Sequence, residues 1–419
     1  MTFSLSPNTQ AILLLTAPLI AGRNEKSVDL IKPHEYKKLA RYLREIKRQP
    51  SDLLTNDAKE LIQSCSHIID TDRITRLIGR GFLLSQVVEQ WRARSIWVIS
   101  RADPQYPMRL KRSLRENAPA LLYGCGDASL LETGGLAVVG PRKSDNELQV
   151  YANEIGRLCA TAQKTLVSGG AKGVDLAAMT GAQLAGGVVC NVMAENLEQA
   201  AINRDNREHI LNQKLVLVSA YDPKAGFNVG HSMQRNKLIY GLSQAALVVE
   251  ATVNKGGTWA GAAEQLDNLN LVPVYVRSSG SASSGLDALR NKGAISWPNP
   301  STSIEMAELI ERQHIQKHNS SMHVTGSLFD NLPQHDVSES MEHNVQLPEN
   351  NEPKQSLRER LYTVVQSLLI EMLDKPMNEK EVAEELNVSR SQAAAWLALL
   401  VKEDKLTKLT KPVRYIIKQ

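Results

Sequence analysis

Residues Ser168-Gly-Gly-Ala-Lys-Gly-Val-Asp175 decide the fold of this 419-residue chain. They follow a short apolar run, Thr165-Leu-Val-Ser168, and precede an alanine-rich helical pattern from Leu176 to Ala185. The order is strand, glycine turn, helix. Glycine lets a backbone approach a ligand closely, and the N–H groups at a helix start favour an anion. A second stretch, Gln234-Arg-Asn-Lys-Leu-Ile-Tyr-Gly-Leu-Ser-Gln-Ala-Ala-Leu-Val-Val-Glu250, puts Arg235, Asn236 and Lys237 at the start of a helix that leads into another strand. Two phosphate-friendly turns on one sheet make a surface for polyphosphate or a nucleic-acid backbone.

Outward from these stretches, apolar runs of strand length recur after Ser95. They are Ile96–Ile99, Leu136–Val139, Leu166–Val167, Val188–Val189, Leu215–Val218, Leu247–Val249 and Leu271–Tyr275, with helical patterns between most of them. Buried strands alternating with helices predict an α/β domain over residues 95–313, built on a Rossmann-like, doubly wound parallel sheet. Ligands bind such sheets at the carboxyl ends of the strands. Gly140-Pro-Arg142, the Ser168 turn and the turn after Glu250 all fall there. The candidate phosphate contacts are therefore Arg142, Ser168, Gly169, Gly170, Lys172, Arg235, Asn236, Lys237, Lys255, Gly256 and Gly257.

The flanks read differently. Residues 1–94 are expected to form a small helical domain. Its helices run over Pro33–Arg48, Asn56–Cys65 and Asp72–Ile78, with another through Val87 and Trp91 after a break at Gly79-Arg80-Gly81. The basic face of Pro33–Arg48 suits solvent or nucleic acid. After a short helix, Ser303–Gln313, residues 314–355 are polar and poor in large apolar side chains, the composition of a flexible linker. Residues 356–419 then pattern as helix, tight turn, helix and a two-stranded wing, a winged-helix domain. Ser389 is a good N-cap for its second helix, yet Ala393-Ala394-Ala395 offers no base-reading side chain. Duplex contact and protein contact are both open for this tail.

Composition narrows the function classes. A net charge of +4 permits a nucleic-acid partner through a local patch without demanding one. Cys65, Cys125, Cys159 and Cys190 show no metal-type spacing and read as unpaired thiols in a reducing cytoplasm. The apolar run Ala11–Ile20 is too short to cross a bilayer and predicts a buried first helix ending near Pro18. No membrane association is expected.

With these residues in view, the central domain resembles the DNA-processing protein A family, also called Smf. The matching pieces are Asp103-Pro-Gln-Tyr-Pro107, Ala120-Leu-Leu-Tyr-Gly124, Val138-Val-Gly-Pro-Arg142, Ser168–Asp175, Gln234–Ser243, Val248-Val-Glu-Ala251 and Lys255-Gly-Gly-Thr258. In this order and spacing they are specific, although each glycine motif alone is weak. The resemblance implies sequence-independent binding of single-stranded DNA and a homodimer. It also implies loading of RecA recombinase in natural transformation. The chain departs from the family pattern in several places. Lys237 stands where the family usually has arginine, Met179 where it has histidine, and Asn191–Glu198 where it has a glycine and tyrosine-proline segment. Ser219-Ala220 replaces a serine-glutamate pair, and Val276-Arg277 a proline-glycine turn.

The residues favour a binder over an enzyme. There is no Ser/His/Asp arrangement, no metal-ligand cluster and no lysine-bearing Walker loop, and no cofactor is expected. Asp175 is read as bracing its turn. Glu250, at a strand end, suits either a ribose hydroxyl or a structural hydrogen bond. Two rivals stand beside the DNA-binding reading. One is a nucleotide-binding enzyme or sensor of the phosphoribohydrolase-like class, for which Lys255–Glu264 is similar to a glycine-threonine-glutamate motif. The other is a transcription regulator built on the tail.

Overall fold

The computed structural model describes residues 5–22 and 28–320, together with parts of 366–417. The chain divides into two compact units, Met1–Gly326 and Ser327–Gln419.

The first unit opens with helices α1 (Pro7–Thr16), α2 (Pro33–Glu45), α3 (Ala58–Ser64), α4 (Thr71–Ile78) and α5 (Gly81–Arg92). Next come β1 (Ile96–Ser100), α6 (Met108–Leu114), β2 (Leu121–Cys125) and β3 (Leu136–Val139). Then α7 (Asn146–Thr161), β4 (Leu166–Ser168), α8 (Val174–Leu184), β5 (Val189–Met193), α9 (Leu197–Ile202), α10 (Arg204–Leu211) and β6 (Leu215–Ser219) follow. The unit closes with α11 (Val229–Leu242), β7 (Ala245–Val248), α12 (Gly256–Glu264), β8 (Val274–Val276), α13 (Ser284–Asn291), β9 (Ile295–Ser296) and α14 (Ser303–Ser320).

The sheet runs β1-β2-β6-β5-β4-β3-β7-β8-β9. From β6 to β9 every pairing is parallel, and the order reverses between β3 and β7. That reversal is the switch point at which such sheets open a crevice. Alternate strand residues feed two cores. Leu136, Val138, Leu166, Val189 and Leu247 pack with α7, α8 and α14 on one face. Ala137, Val139, Val167, Cys190 and Val248 pack with α6, α11, α12 and α13 on the other. The two-residue side-chain period produces this division.

The sheet is not wholly parallel. β2 is antiparallel to both β1 and β6, and neither β2 nor β9 is among the seven runs read from sequence. Gly124 disguises β2, because a glycine inside a strand pattern argues against one. Trp97 pairs with Gly124 across the strands, and a Cβ there would stand 2.3 Å from the indole. The glycine makes room for the tryptophan, whose Nε1 donates to the Gly126 carbonyl (2.8 Å).

The N-terminal helices appear close to their expected places. α2 to α4 enclose a core of Leu39, Leu43, Leu53, Ile62, Ile74 and Leu77. Ile12, Leu13, Leu84, Val87 and Trp91 of α1 and α5 join the sheet core instead. Asp103 ties α1 to β1 by accepting from Ser6 Oγ (2.5 Å), Thr9 Oγ1 (2.5 Å) and the Ser100 N–H (2.7 Å). The four cysteines are free and buried. No helix among the described residues is long and apolar enough to cross a membrane.

α14 continues to Ser320, past the expected end at Gln313. The rest of the expected linker lies outside the described residues. In the second unit, helix Glu379–Glu385 starts with a reciprocal cap. The Glu381 N–H donates to Asn378 Oδ1 (3.0 Å) and the Asn378 N–H to Glu381 Oε2 (2.8 Å). An antiparallel hairpin, Leu406–Thr410 with Val413–Ile417, forms where the wing is expected. Leu373, Val382, Ala393, Leu397, Leu400, Leu406 and Tyr415 are buried. Ser389 and Arg390–Gln392 lie outside the described residues.

Candidate functional site

The polar turns meet at the carboxyl edge of β3, β4 and β7. Asp175, in the first turn of α8, accepts from the Gly140 N–H (3.1 Å), joining the turns after β3 and β4. Thr258 Oγ1 of α12 donates to the Gly140 carbonyl (2.8 Å), bringing in the turn after β7. Gly173 caps α8 at φ +86° and fits beneath the carbonyls of Pro141 and Arg142.

Arg235 is the centre of this edge. It is 7% exposed, and a Cβ on Gly169 would stand 1.3 Å from its Nη1. The glycine turn is thus the floor on which the guanidinium lies. Its Nε and Nη1 are buried without a hydrogen-bond partner in the protein. Burial works against the charge of Arg235, Asp175 supports it, and the nearby Arg142 opposes it. Burial pushes the Asp175 carboxyl up to about 6, against the pull of Arg235 and the Gly140 and Gly169 N–H groups. Hydrogen bonds to a charged group are the costly ones to leave unmade, so a guanidinium with unmade bonds beside a second arginine has the chemistry of a candidate anion contact.

The structure separates the candidate residues. Arg142, Lys172 and Lys255 are exposed on turns at this edge. Arg235, Asn236 and Lys237 lie in the middle of α11 and not at its start as expected, because Asn228 caps the helix and it begins at Val229. Arg235 turns toward Gly169, whereas Asn236 and Lys237 turn toward α12. Asn236 Nδ2 donates to the Gly257 carbonyl (3.1 Å), and Lys237 Nζ pairs with Glu264 Oε1 (2.9 Å). Ser168 is fully buried and its hydroxyl donates to the Val138 carbonyl (2.7 Å). Gly170 has φ +65°, and a Cβ there would meet the Asn191 amide (2.7 Å). Gly256 (φ +80°) and Gly257 open α12 with exposed backbone. The start of α8 is partly closed, because the Val174 and Leu176 N–H groups donate to the Pro141 and Ala171 carbonyls. Two of the N–H groups expected to meet an anion at that helix start are therefore already taken.

Glu250 is occupied structurally. Its Oε2 pairs with Arg277 Nη2 (3.2 Å), and its Oε1 accepts from the Ala251 N–H (2.8 Å) and from Ser283 Oγ. Arg277 Nε donates in turn to the Val249 carbonyl (3.0 Å).

The region matched by the family model for DNA recombination-mediator protein A spans residues 97–308, about half of the chain, and contains every one of these turns. The chain belongs to that family. Within the DNA recombination-mediator protein A family, it is 32% identical over 164 residues to the DNA processing protein DprA of Streptococcus pneumoniae. That match covers 37% of this chain and 54% of the relative. It is 32% identical over 198 residues to Protein Smf of Escherichia coli, covering 45% and 50% respectively. The chain spans about half the length of the curated relatives it matches. The X-ray structure of the Streptococcus pneumoniae protein superposes with a TM-score of 0.54 at 19% identity. It covers 74% of this chain and 98% of that one, a likeness of fold.

Sequence reasoning missed some members of the site. Glu195, in the segment that replaces the family's tyrosine-proline, acts on Arg235 and supports its charge. Tyr221 and His231 stack at 3.8 Å between centroids, and Phe227 meets Arg142 at the same edge. The signal for Phe227 was its rarity, as one of only four phenylalanines in the chain.

Proposed function

We propose that this protein binds the phosphate backbone of single-stranded DNA, without sequence preference, at the carboxyl edge around Arg235. The carrying observation is a buried guanidinium with two N–H-bearing nitrogens lacking partners, laid on a glycine floor beside Arg142. Lys172 and Lys255 extend the positive edge. Asn236 and Lys237 hold α11 against α12, and Ser168 braces β3 and β4, so their parts in binding are indirect. Membership of a family described as a DNA recombination mediator supports a role in DNA processing. RecA loading, natural transformation, a homodimer, the helical N-terminal domain and the winged-helix tail belong to the same proposal. So do the linker boundaries and a cytoplasmic, non-enzymatic role.

The phosphoribohydrolase-like alternative needs a free glutamate. Glu264 is paired with Lys237 and Glu250 with Arg277, which favours the binding reading. Titrating the protein with single-stranded DNA, duplex and mononucleotides separates the two. Single strands should bind best, with steep salt dependence. Arg235→Ala should weaken all sequences about equally, by roughly ten- to a hundred-fold. Arg235→Lys should recover part of that, since it keeps the charge but not the planar fork. Tight mononucleotide binding with turnover would overturn the proposal.

A further inference from the structure

Phe227 lies in the loop from β6 to α11 and is 59% exposed. Its neighbour in space is Arg142, whose guanidinium lies over the ring at 5.8 Å from the centroid. Arg142 leaves the carboxyl end of β3, while Phe227 follows the carboxyl end of β6. Between those strands lie β4 and β5. The two loops therefore meet across the ends of β4 and β5, the edge that carries the Gly169 turn, against which the Arg235 side chain of α11 lies.

The loop is held at both ends. Asp222 accepts from the Lys224 N–H (3.0 Å) and from the distant Ile20 N–H (3.2 Å). Asn228 caps α11 by accepting from the His231 N–H (3.1 Å). Val229, the first residue of α11, is 65% exposed and extends the apolar surface. An exposed aliphatic side chain on its own needs no explanation. An anchored aromatic ring, backed by an arginine at the mouth of an anion site, is a different arrangement. One face carries the cation, and the ring's exposure leaves room for a flat, uncharged group.

We propose that Phe227, backed by Arg142, is the platform on which an unpaired base stacks while its phosphate is held at Arg235. The proposal rests on the backbone-binding reading and adds the element that selects single strands. In a duplex both faces of each base are already stacked, so the ring gains nothing there, whereas an unpaired base offers a free face. Stacking is tolerant of sequence because every base has such a face, so the platform is compatible with binding that ignores sequence.

The test uses the full-length chain with oligo(dT) and an abasic strand of equal length, at fixed salt. Phe227→Ala should keep its melting temperature, because the side chain is mostly exposed, and lose about ten-fold in affinity for oligo(dT). Its affinity for the abasic strand should not change, nor should its salt slope. Phe227→Trp should bind oligo(dT) normally, and its added fluorescence over wild type should be quenched on binding. Wild-type affinity of Phe227→Ala for oligo(dT), or an unquenched Phe227→Trp, overturns the platform if Arg235→Ala is still weakened. An equal loss on the abasic strand also overturns it, placing the effect in the backbone. If Arg235→Ala also binds normally, the backbone reading fails and the platform falls with it.

Discussion

The Arg235 guanidinium fills the space that a side chain on Gly169 would need, with Nη1 1.3 Å from the position of the missing Cβ. Two residues far apart in the chain are therefore one device. The glycine keeps the floor flat, and the arginine supplies unpartnered donors above it. Gly169→Ala should displace the guanidinium and lower single-strand affinity by about the same factor as Arg235→Ala. The double variant should be no worse than either single change, since both remove one interaction. Fluorescence anisotropy on all three proteins checks this, and additive losses would mean that the residues act separately.

Asp175 sets the pH response of the site. Its folded value of about 6 lies above the ordinary value of 3.8, so the folded state binds the proton more tightly than the unfolded chain. Its contribution to stability is thus greatest below about 4 and declines as pH rises through about 6. Binding should follow the same sign. Protonation removes a carboxylate that competes with phosphate for Arg235, so affinity should strengthen as pH falls from 7.5 to roughly 5.5. His231, whose burial pulls it below its ordinary value, titrates nearby. Asp175→Asn should flatten the Asp175 part of the profile and leave the His231 part, as binding isotherms at several pH values will report.

Arg277 belongs to stability and not to binding. Its side chain is 5% exposed and pairs with Glu250 at 22%, linking β7 to β8. Arg277→Ala leaves that carboxylate without its cation and should cost on the order of 3 kcal/mol. Urea denaturation should show the loss, while the folded fraction keeps its affinity for single-stranded DNA. An unchanged midpoint would show the pair to be dispensable.

Truncation after Ser320 should leave the first compact unit folded and its single-strand affinity within about three-fold of the full chain. The site residues lie on elements before α14, within a unit that ends at Gly326. Circular dichroism and titration of the shortened chain are the measurements. Loss of most binding in a folded truncated protein would move the principal DNA site to the tail.

The sequence by itself determined the parallel strands that bear the site and the glycine turn at Gly169-Gly170. It also put Arg235 on the helix before β7, although not at the middle of that helix, where it lies. These are local signals, carried by apolar periodicity over a few residues and by glycine at backbone positions that other residues avoid. Only the tertiary structure decided that β2 runs antiparallel, because Gly124 has meaning only once Trp97 lies against it. It also decided how Arg235, Asn236 and Lys237 divide. Successive residues on a helix point about 100° apart, so one triplet serves two neighbours, the glycine turn and α12. Which neighbour each residue meets depends on strand order. The contact between Arg142 and Phe227 likewise exists only because β3 and β6 stand in the sheet with β4 and β5 between them, a relation that no spacing along the chain encodes.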